Sequence, residues 1–240
     1  MPNDSTAMQQ SLQTVQAAIS AACAAAGRPR ESVRLVAVSK FHPASAVIAA
    51  IQAGHTLFGE NRVQEAVAKF AEVSAQGYSY ELHIIGQLQR NKVKDAVRIA
   101  SCIESVDRIP LLEEIEKQCT KIDKRIAILL ELHTGEESKA GFADVASVQE
   151  ALSRCANGDF PHVTPCGFMT MAPNTTDEAL IRASFSALRT CATAMRAAYP
   201  QLPLNELSMG MSGDFPLAIA EGATIVRIGT AIFGARTYSA

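Results

Sequence analysis

A chain of 240 residues, 48% of them hydrophobic, has ample apolar material for one large core, and an α/β barrel takes this length as a single domain. Its 22 Lys and Arg against 24 Asp and Glu leave a net charge of −2, so no strong field points to nucleic acid or to a membrane surface. No apolar run approaches the roughly 20 residues that cross a bilayer.

Residues 1–6 are polar and expected to be disordered, and the first ten lack the basic start and apolar centre of a signal peptide. Met8, Leu12, Val15, Ile19 and Cys23 then recur at helical spacing, and Gly27 and Pro29 end that helix. Val33–Lys40 begins as an alternating β-branched run and becomes continuously apolar, the pattern of a strand buried on both faces of a parallel sheet. It stops at Lys40, where Phe41-His42-Pro43 force a turn. A helix over about 43–53 ends at Gly54, and Thr56–Gly59 reads as the second strand.

From there strand and helix alternate. Val63, Val67 and Phe70 mark a helix, Glu81–Gly86 a third strand, Gln89–Ile99 a helix, and Ala100–Val106 a weaker fourth strand. Asp107 is expected to cap the helix carrying Leu111, Leu112 and Ile115. Arg125–Leu132 is the strongest strand signal, and Asp144 is placed to cap the next helix. His162–Met169 is strand six, and Thr175 with Glu178 has capping-box spacing ahead of a long helix. Glu206–Met211, a short helix capped by Asp214, Ile225–Ile228 and a final helical turn complete the chain.

Eight short strands with intervening helices and no linker-like break predict a single-domain (β/α)8 barrel over residues 1–240, with one extra N-terminal helix. A doubly wound open sheet is the alternative, but the loop after the first strand lacks Gly-x-Gly-x-x-Gly. The six cysteines show neither Cys-x-x-Cys spacing nor paired histidines, so they are read as reduced core residues of a cytoplasmic protein, with no metal site. The short basic runs Arg90–Lys94 and Lys121–Arg125 read as solvated helix ends.

In a barrel the loops after the strands share one mouth, where ligands bind. Lys40 stands there; walled by apolar neighbours, a lysine can lose its proton and form a Schiff base with an aldehyde. The plainer reading is a solvated lysine closing a strand. Gly229-Thr230 follows the last strand and opens a helical turn, where barrels often seat a phosphate, and Ser208 offers another hydroxyl. Simple turn chemistry is the alternative for that glycine and threonine. Arg227 places a permanent cation inside an apolar strand, which calls for either a salt bridge or a ligand. Strand alternation turns Arg227 and Gly229 to one side and Ile228 to the helices. Lysine, phosphate cup and arginine together describe pyridoxal 5′-phosphate.

The runs Val38-Ser39-Lys40, Phe58–Glu65, His83–Lys92, Gly167-Phe168-Met169, Leu207–Ser212 and Val226–Gly234 carry a resemblance that extends from about residue 10 to the C-terminus. In them the chain resembles the pyridoxal phosphate homeostasis proteins, the YggS/PROSC family, whose fold is the barrel of alanine racemase without its second domain. The resemblance implies that Lys40 carries the cofactor as an internal aldimine, that Ser208, Gly229 and Thr230 hold its phosphate, and that Arg227 faces the pyridine nitrogen. Asn61 and His83 match positions lining the family's pocket. The match is looser around Glu136–Phe142, and no binding role is carried onto that loop.

Pyridoxal enzymes usually set a carboxylate on the ring nitrogen, and an arginine cannot take that proton. A two-base racemase also needs a second acid/base group opposite the lysine. The expected function is therefore a non-catalytic carrier in vitamin B6 homeostasis, monomeric, with no catalytic residues, supplying apo forms of pyridoxal phosphate enzymes. An amino-acid racemase is the main alternative, and a lysine-dependent aldolase acting on a phosphorylated sugar is the next.

Overall fold

The computed structural model describes residues 2–135 and 140–234, with side chains from Thr6 onward. Among the described residues eight parallel strands close a barrel in sequence order: β1 (Arg34–Val38), β2 (Leu57–Glu60), β3 (Glu81–Ile84), β4 (Cys102–Val106), β5 (Ile126–Glu131), β6 (Val163–Met169), β7 (Glu206–Ser208) and β8 (Ile225–Ile228). The cylinder closes where β1 meets β8, with Val36 opposite Arg227 and Ala37 opposite Ile228.

The helices form the outer ring. They are α1 (Pro2–Ala25), α2 (Ala44–Gln52), α3 (Val63–Ala75), α4 (Val93–Ile99), α5 (Ile109–Lys121), α6 (Val145–Ala156), α7 (Glu178–Ala198), α8 (Phe215–Ala220) and α9 (Thr230–Phe233). The extra helix α1 packs against α2, α8 and α9. It extends back over residues 2–6, for which the polar composition raised the expectation of disorder.

The two-faced burial of the strands explains their apolar runs. In β1, Leu35 and Ala37 join the large core between strands and helices, while Val36 and Val38 join a smaller cluster inside the barrel with Cys102, Leu129, Met169 and Ile225. Each fully buried Val, Leu, Ile or Phe contributes about 1.5–3 kcal/mol relative to exposure. In β8 the same alternation sends Val226 and Ile228 outward and Ile225 inward, and Arg227 shares the inward parity.

Several local details differ from expectation. Asp107 does not cap α5: its carboxylate is engaged by the guanidinium of the adjacent Arg108, which is itself the N-cap residue. Asp177, not Thr175, caps α7, accepting from the N–H groups of Ala179 at 2.9 Å and Leu180 at 3.4 Å; Thr175 instead accepts from the Asp177 N–H. Asp144 caps α6 as its position suggests, accepting from Ser147 N–H at 2.8 Å. At the start of α8 the Asp214 carboxylate turns back to accept from Met211 N–H at 2.6 Å, so it ties the preceding loop. The helix expected over Gln89–Ile99 opens with a 3₁₀ turn at Arg90–Lys92. Strand β7 ends at Ser208 rather than Met211, and Met211, Ser212 and Gly213 lie at the mouth of the barrel while Met209 stays in the core.

All six cysteines are free thiols. Among the described residues no helix is long and apolar enough to cross a membrane, and no group of three or more His, Cys, Asp or Glu is placed to hold a metal ion.

Candidate functional site

A cavity of about 290 Å³ opens at the carboxyl end of the barrel, near the lower end of the range typical of ligand sites. Five of the seven residues singled out in the sequence line it: Lys40, Asn61, Arg227, Gly229 and Thr230. Lys40 lies two residues past β1, Asn61 one past β2, and Gly229 and Thr230 directly after β8. The described lining includes Lys40, His42 and Arg227 and contains no carboxylate. Apolar walls come from Val38, Ile85, Met171 and Met211.

Two close approaches shape the mouth. A Cβ on Gly229 would lie 2.9 Å from the carbonyl oxygen of Val38, so glycine lets the start of α9 sit tightly on the end of β1. A Cβ on Gly86 would lie 2.5 Å from the carbonyl oxygen of Asn61, so the loop after β2 crosses directly over the end of β3. That crossing holds Asn61 at the cavity.

The remaining two predicted residues, Ser208 and His83, are not among those lining the cavity. Both sit in the barrel interior on either side of Glu104, which is fully buried. His83 Nδ1 donates to Glu104 Oε1 at 2.6 Å, and Ser208 Oγ donates to Glu104 Oε2 at 2.5 Å. Arg227 Nη1 donates to Ser208 Oγ at 2.6 Å and Nη2 donates to the carbonyl of Thr170 at 2.8 Å. These bonds use two of the five guanidinium N–H groups. The Arg227 and Glu104 charges are 3.9 Å apart. Arg227 thus has a protein carboxylate for a partner and still reaches the cavity wall.

Electrostatics follow from that burial. Burial alone raises the Glu104 carboxyl, but hydrogen bonding and charge from His83, the Arg227 charge and the Ser208 hydroxyl together hold it below the ordinary carboxylate value. Burial pulls the Arg227 guanidinium down from its usual value, opposed by Glu104, Glu131 and Asp214.

Three features escaped the sequence reading. Glu104 lies mid-strand between Cys102-Ile103 and Val106, and the argument applied to Arg227, a charge inside an apolar strand, would have singled it out. Ser212 and Gly213 line the cavity while Ser208 does not, because the Ser208 hydroxyl is held inside the barrel between Glu104 and Arg227. Buried Lys69 of α3, with Glu60 and Glu65, flanks Lys40 on the outer side of the barrel. The loop around Glu136–Phe142 includes residues 136–139, among them Lys139, which lie outside the described residues.

Residues 10–237 match the family model described as alanine racemase, N-terminal domain. Within that class, the chain is 40% identical over 219 residues to the pyridoxal phosphate homeostasis protein of Vibrio alginolyticus, covering 89% of this chain and 91% of that protein. It is 37% identical over 235 residues to the protein of the same name in Escherichia coli K12, covering 95% and 96% of the two chains. PipY of Synechococcus elongatus PCC7942, solved with PLP bound, superposes with a TM-score of 0.83 at 37% identity, covering 95% of this chain and all of that one. The chain belongs to the family of the pyridoxal phosphate homeostasis proteins.

Proposed function

We propose that this protein binds pyridoxal 5′-phosphate covalently at Lys40 and serves as a non-catalytic carrier in vitamin B6 homeostasis. The observation that carries the reading is the composition of one cavity: a lysine, an arginine, hydroxyls and the close-packed Gly229, with no carboxylate in its described lining. That donor set fits a phosphorylated aldehyde, and the family name and the PLP-bound relative support the same ligand.

When bound, pyridoxal phosphate supplies an electrophilic aldehyde. The Lys40 amine would bond to that carbon with loss of water, in a cavity whose lining also holds Arg227 and apolar side chains. Gly229 and Thr230 would hold the phosphate, joined by Ser212 in place of the Ser208 first expected. Arg227 would face the ring nitrogen and leave it unprotonated, and Asn61 would line the ring's side. His83 and Ser208 would serve the ligand through Glu104 and Arg227.

The carrier reading rests on two features of the chemistry. A guanidinium cannot take the proton that makes the ring a strong electron sink. The described lining also offers only His42 as a near-neutral acid/base group, and burial, followed by the Lys69 charge, lowers its pKa. A cytoplasmic, monomeric protein that delivers the cofactor to apo-enzymes is the role we infer, in keeping with six reduced thiols.

The test is borohydride reduction of the protein loaded with pyridoxal phosphate, followed by peptide mapping, with amino-acid turnover measured in parallel. Pyridoxyl on Lys40 with no racemisation or transamination above the free-cofactor rate is the expected result. Robust turnover that is lost in Lys40→Ala would replace the carrier with a racemase or a related enzyme. A purified protein that binds no pyridoxal phosphate would favour a lysine-dependent aldolase.

A further inference from the structure

The segment Ser39-Lys40-Phe41-His42 is a tight turn, closed by a hydrogen bond from His42 N–H to the Ser39 carbonyl at 3.1 Å. Phe41 occupies its third position at φ +67°, a conformation that glycine adopts readily and a bulky side chain does not. Such a turn persists only where its surroundings fix it.

What fixes it lies behind the barrel wall. Lys69 projects from α3 and is almost fully buried. Its ammonium donates to the Ser39 carbonyl at 2.7 Å, to Glu60 Oε1 at 2.7 Å and to Glu65 Oε1 at 3.2 Å. Glu65 Oε1 in turn accepts from the Phe41 N–H at 2.6 Å, and Glu60 Oε1 accepts from the Ser39 hydroxyl at 2.7 Å. The charged cluster therefore grips the carbonyl before Lys40 and the N–H after it. The Arg62 guanidinium, 5.8 Å from the Phe41 ring centre, covers the exposed side of the same turn.

We infer that Lys69, together with Glu60 and Glu65, is a positioning element for Lys40: it locks the two peptide groups that flank Lys40 and so aims that side chain into the cavity. The inference rests on the reading of Lys40 as the residue that bonds the cofactor. Nothing in the cluster lines the cavity itself, so its influence passes through the Lys40 backbone. A buried ammonium is costly unless paired, and here two carboxylates and a carbonyl pair it on the outer side of the strand.

The experiment compares two backgrounds. The double variant Lys69→Met with Glu60→Gln removes both buried charges while keeping their volumes, and Glu65→Ala releases the Phe41 N–H together with the longer Lys69 contact, from a half-exposed position. In the native background, covalent bonding of pyridoxal phosphate to Lys40, read by absorbance titration and by borohydride labelling, should weaken about tenfold or more in the double variant. In a Lys40→Ala background the non-covalent affinity for pyridoxal phosphate, read by equilibrium dialysis, should change by less than about twofold. Should the double variant not fold, Glu65→Ala answers with the same pair of titrations. Equal losses in both backgrounds would show general support of the pocket and overturn the inference, as would unchanged bonding in both. Labelling of a different lysine in the native protein would overturn the reading of Lys40 and this inference with it, whereas Lys40 labelled normally in every variant overturns this inference alone.

Discussion

Glu104 and Arg227 lie 3.9 Å apart inside the barrel with the Ser208 oxygen set between them. The serine accepts from the cation and donates to the anion, so one hydroxyl links β4, β7 and β8. Neither charge is open to bulk water, since Glu104 is fully buried and Arg227 nearly so; besides each other and Ser208, they meet His83 and the Thr170 carbonyl.

Breaking that pair from one side should be costly. Glu104→Gln keeps the shape and strands the arginine, and loss of one partner of a buried pair costs about 3–5 kcal/mol. Urea unfolding of the protein without cofactor should show the midpoint falling by a corresponding amount with little change in slope. Adding Arg227→Met should recover part of the loss, because the stranded charge goes with it. A double variant as unstable as the sum of the two singles would mean the residues are energetically independent.

The same carboxylate sets a pH dependence. Its value in the fold is held below 4.5, the value of a free glutamate. Its contribution is thus fully present above that value and is lost as pH falls through the lower folded value. Glu60 works in the opposite sense, since burial raises it despite Lys69, so its ionisation costs stability as pH rises above about 4.5. Unfolding free energy measured between pH 7 and pH 3 should fall steeply at the acid end in the wild type and less steeply in Glu104→Gln. Parallel curves would assign the acid sensitivity to other groups.

Thr230 and Ser208 should separate by ligand. Thr230→Val and Ser212→Ala each remove a hydroxyl at the cavity, and a lost hydrogen bond to a charged group costs about 1.5–3 kcal/mol, or roughly tenfold to a hundredfold in affinity. Pyridoxal phosphate binding should weaken accordingly while pyridoxal, which lacks the phosphate, hardly changes. Ser208→Ala loosens Arg227 instead and should affect both ligands alike. Equal losses for both ligands in Thr230→Val would make that hydroxyl structural.

Gly229→Ala tests the close approach at the seam of the barrel. The added methyl meets the Val38 carbonyl at 2.9 Å, and both are backbone-anchored, so β1 and the start of α9 must part. Affinity for pyridoxal phosphate should fall well beyond the loss in Thr230→Val, with a lower melting temperature. A variant that melts and binds like the wild type would show that the seam yields at little cost.

The barrel was legible in the sequence because each strand is an apolar run bounded by turn residues, and the parity of β8 alone turned Arg227 inward. Ends were less legible. Arg108 drew Asp107 away from α5, and Asp177 outcompeted Thr175 because it stands next to the first helical residue. At the site, the loop residues Lys40, Asn61, Gly229 and Thr230 could be placed from sequence because each follows directly on a strand. Ser208 was expected to offer its hydroxyl to the phosphate, but the buried pair Glu104 and Arg227, of which only the arginine stood out in the sequence, takes that hydroxyl inside the barrel. Lys69 was hidden because a lysine on an amphipathic helix ordinarily faces solvent, and only the folded packing of α3 on β1 and β2 reveals its burial.

The seam where β1 meets β8 holds both Lys40 and Thr230, which come from opposite ends of the chain. A growing polypeptide emerging from the ribosome therefore carries the lysine long before it carries the arginine, the threonine and the glycines that complete the cavity. A chain halted anywhere before β8 has Lys40 and an incomplete pocket, and its first strand lacks one of its two neighbours. On the proposed function, loading with the aldehyde would be the last event of biosynthesis, following the most distant contact in the sequence, and that contact is the slow kind to make. Retained cofactor would then be a mark of a finished molecule.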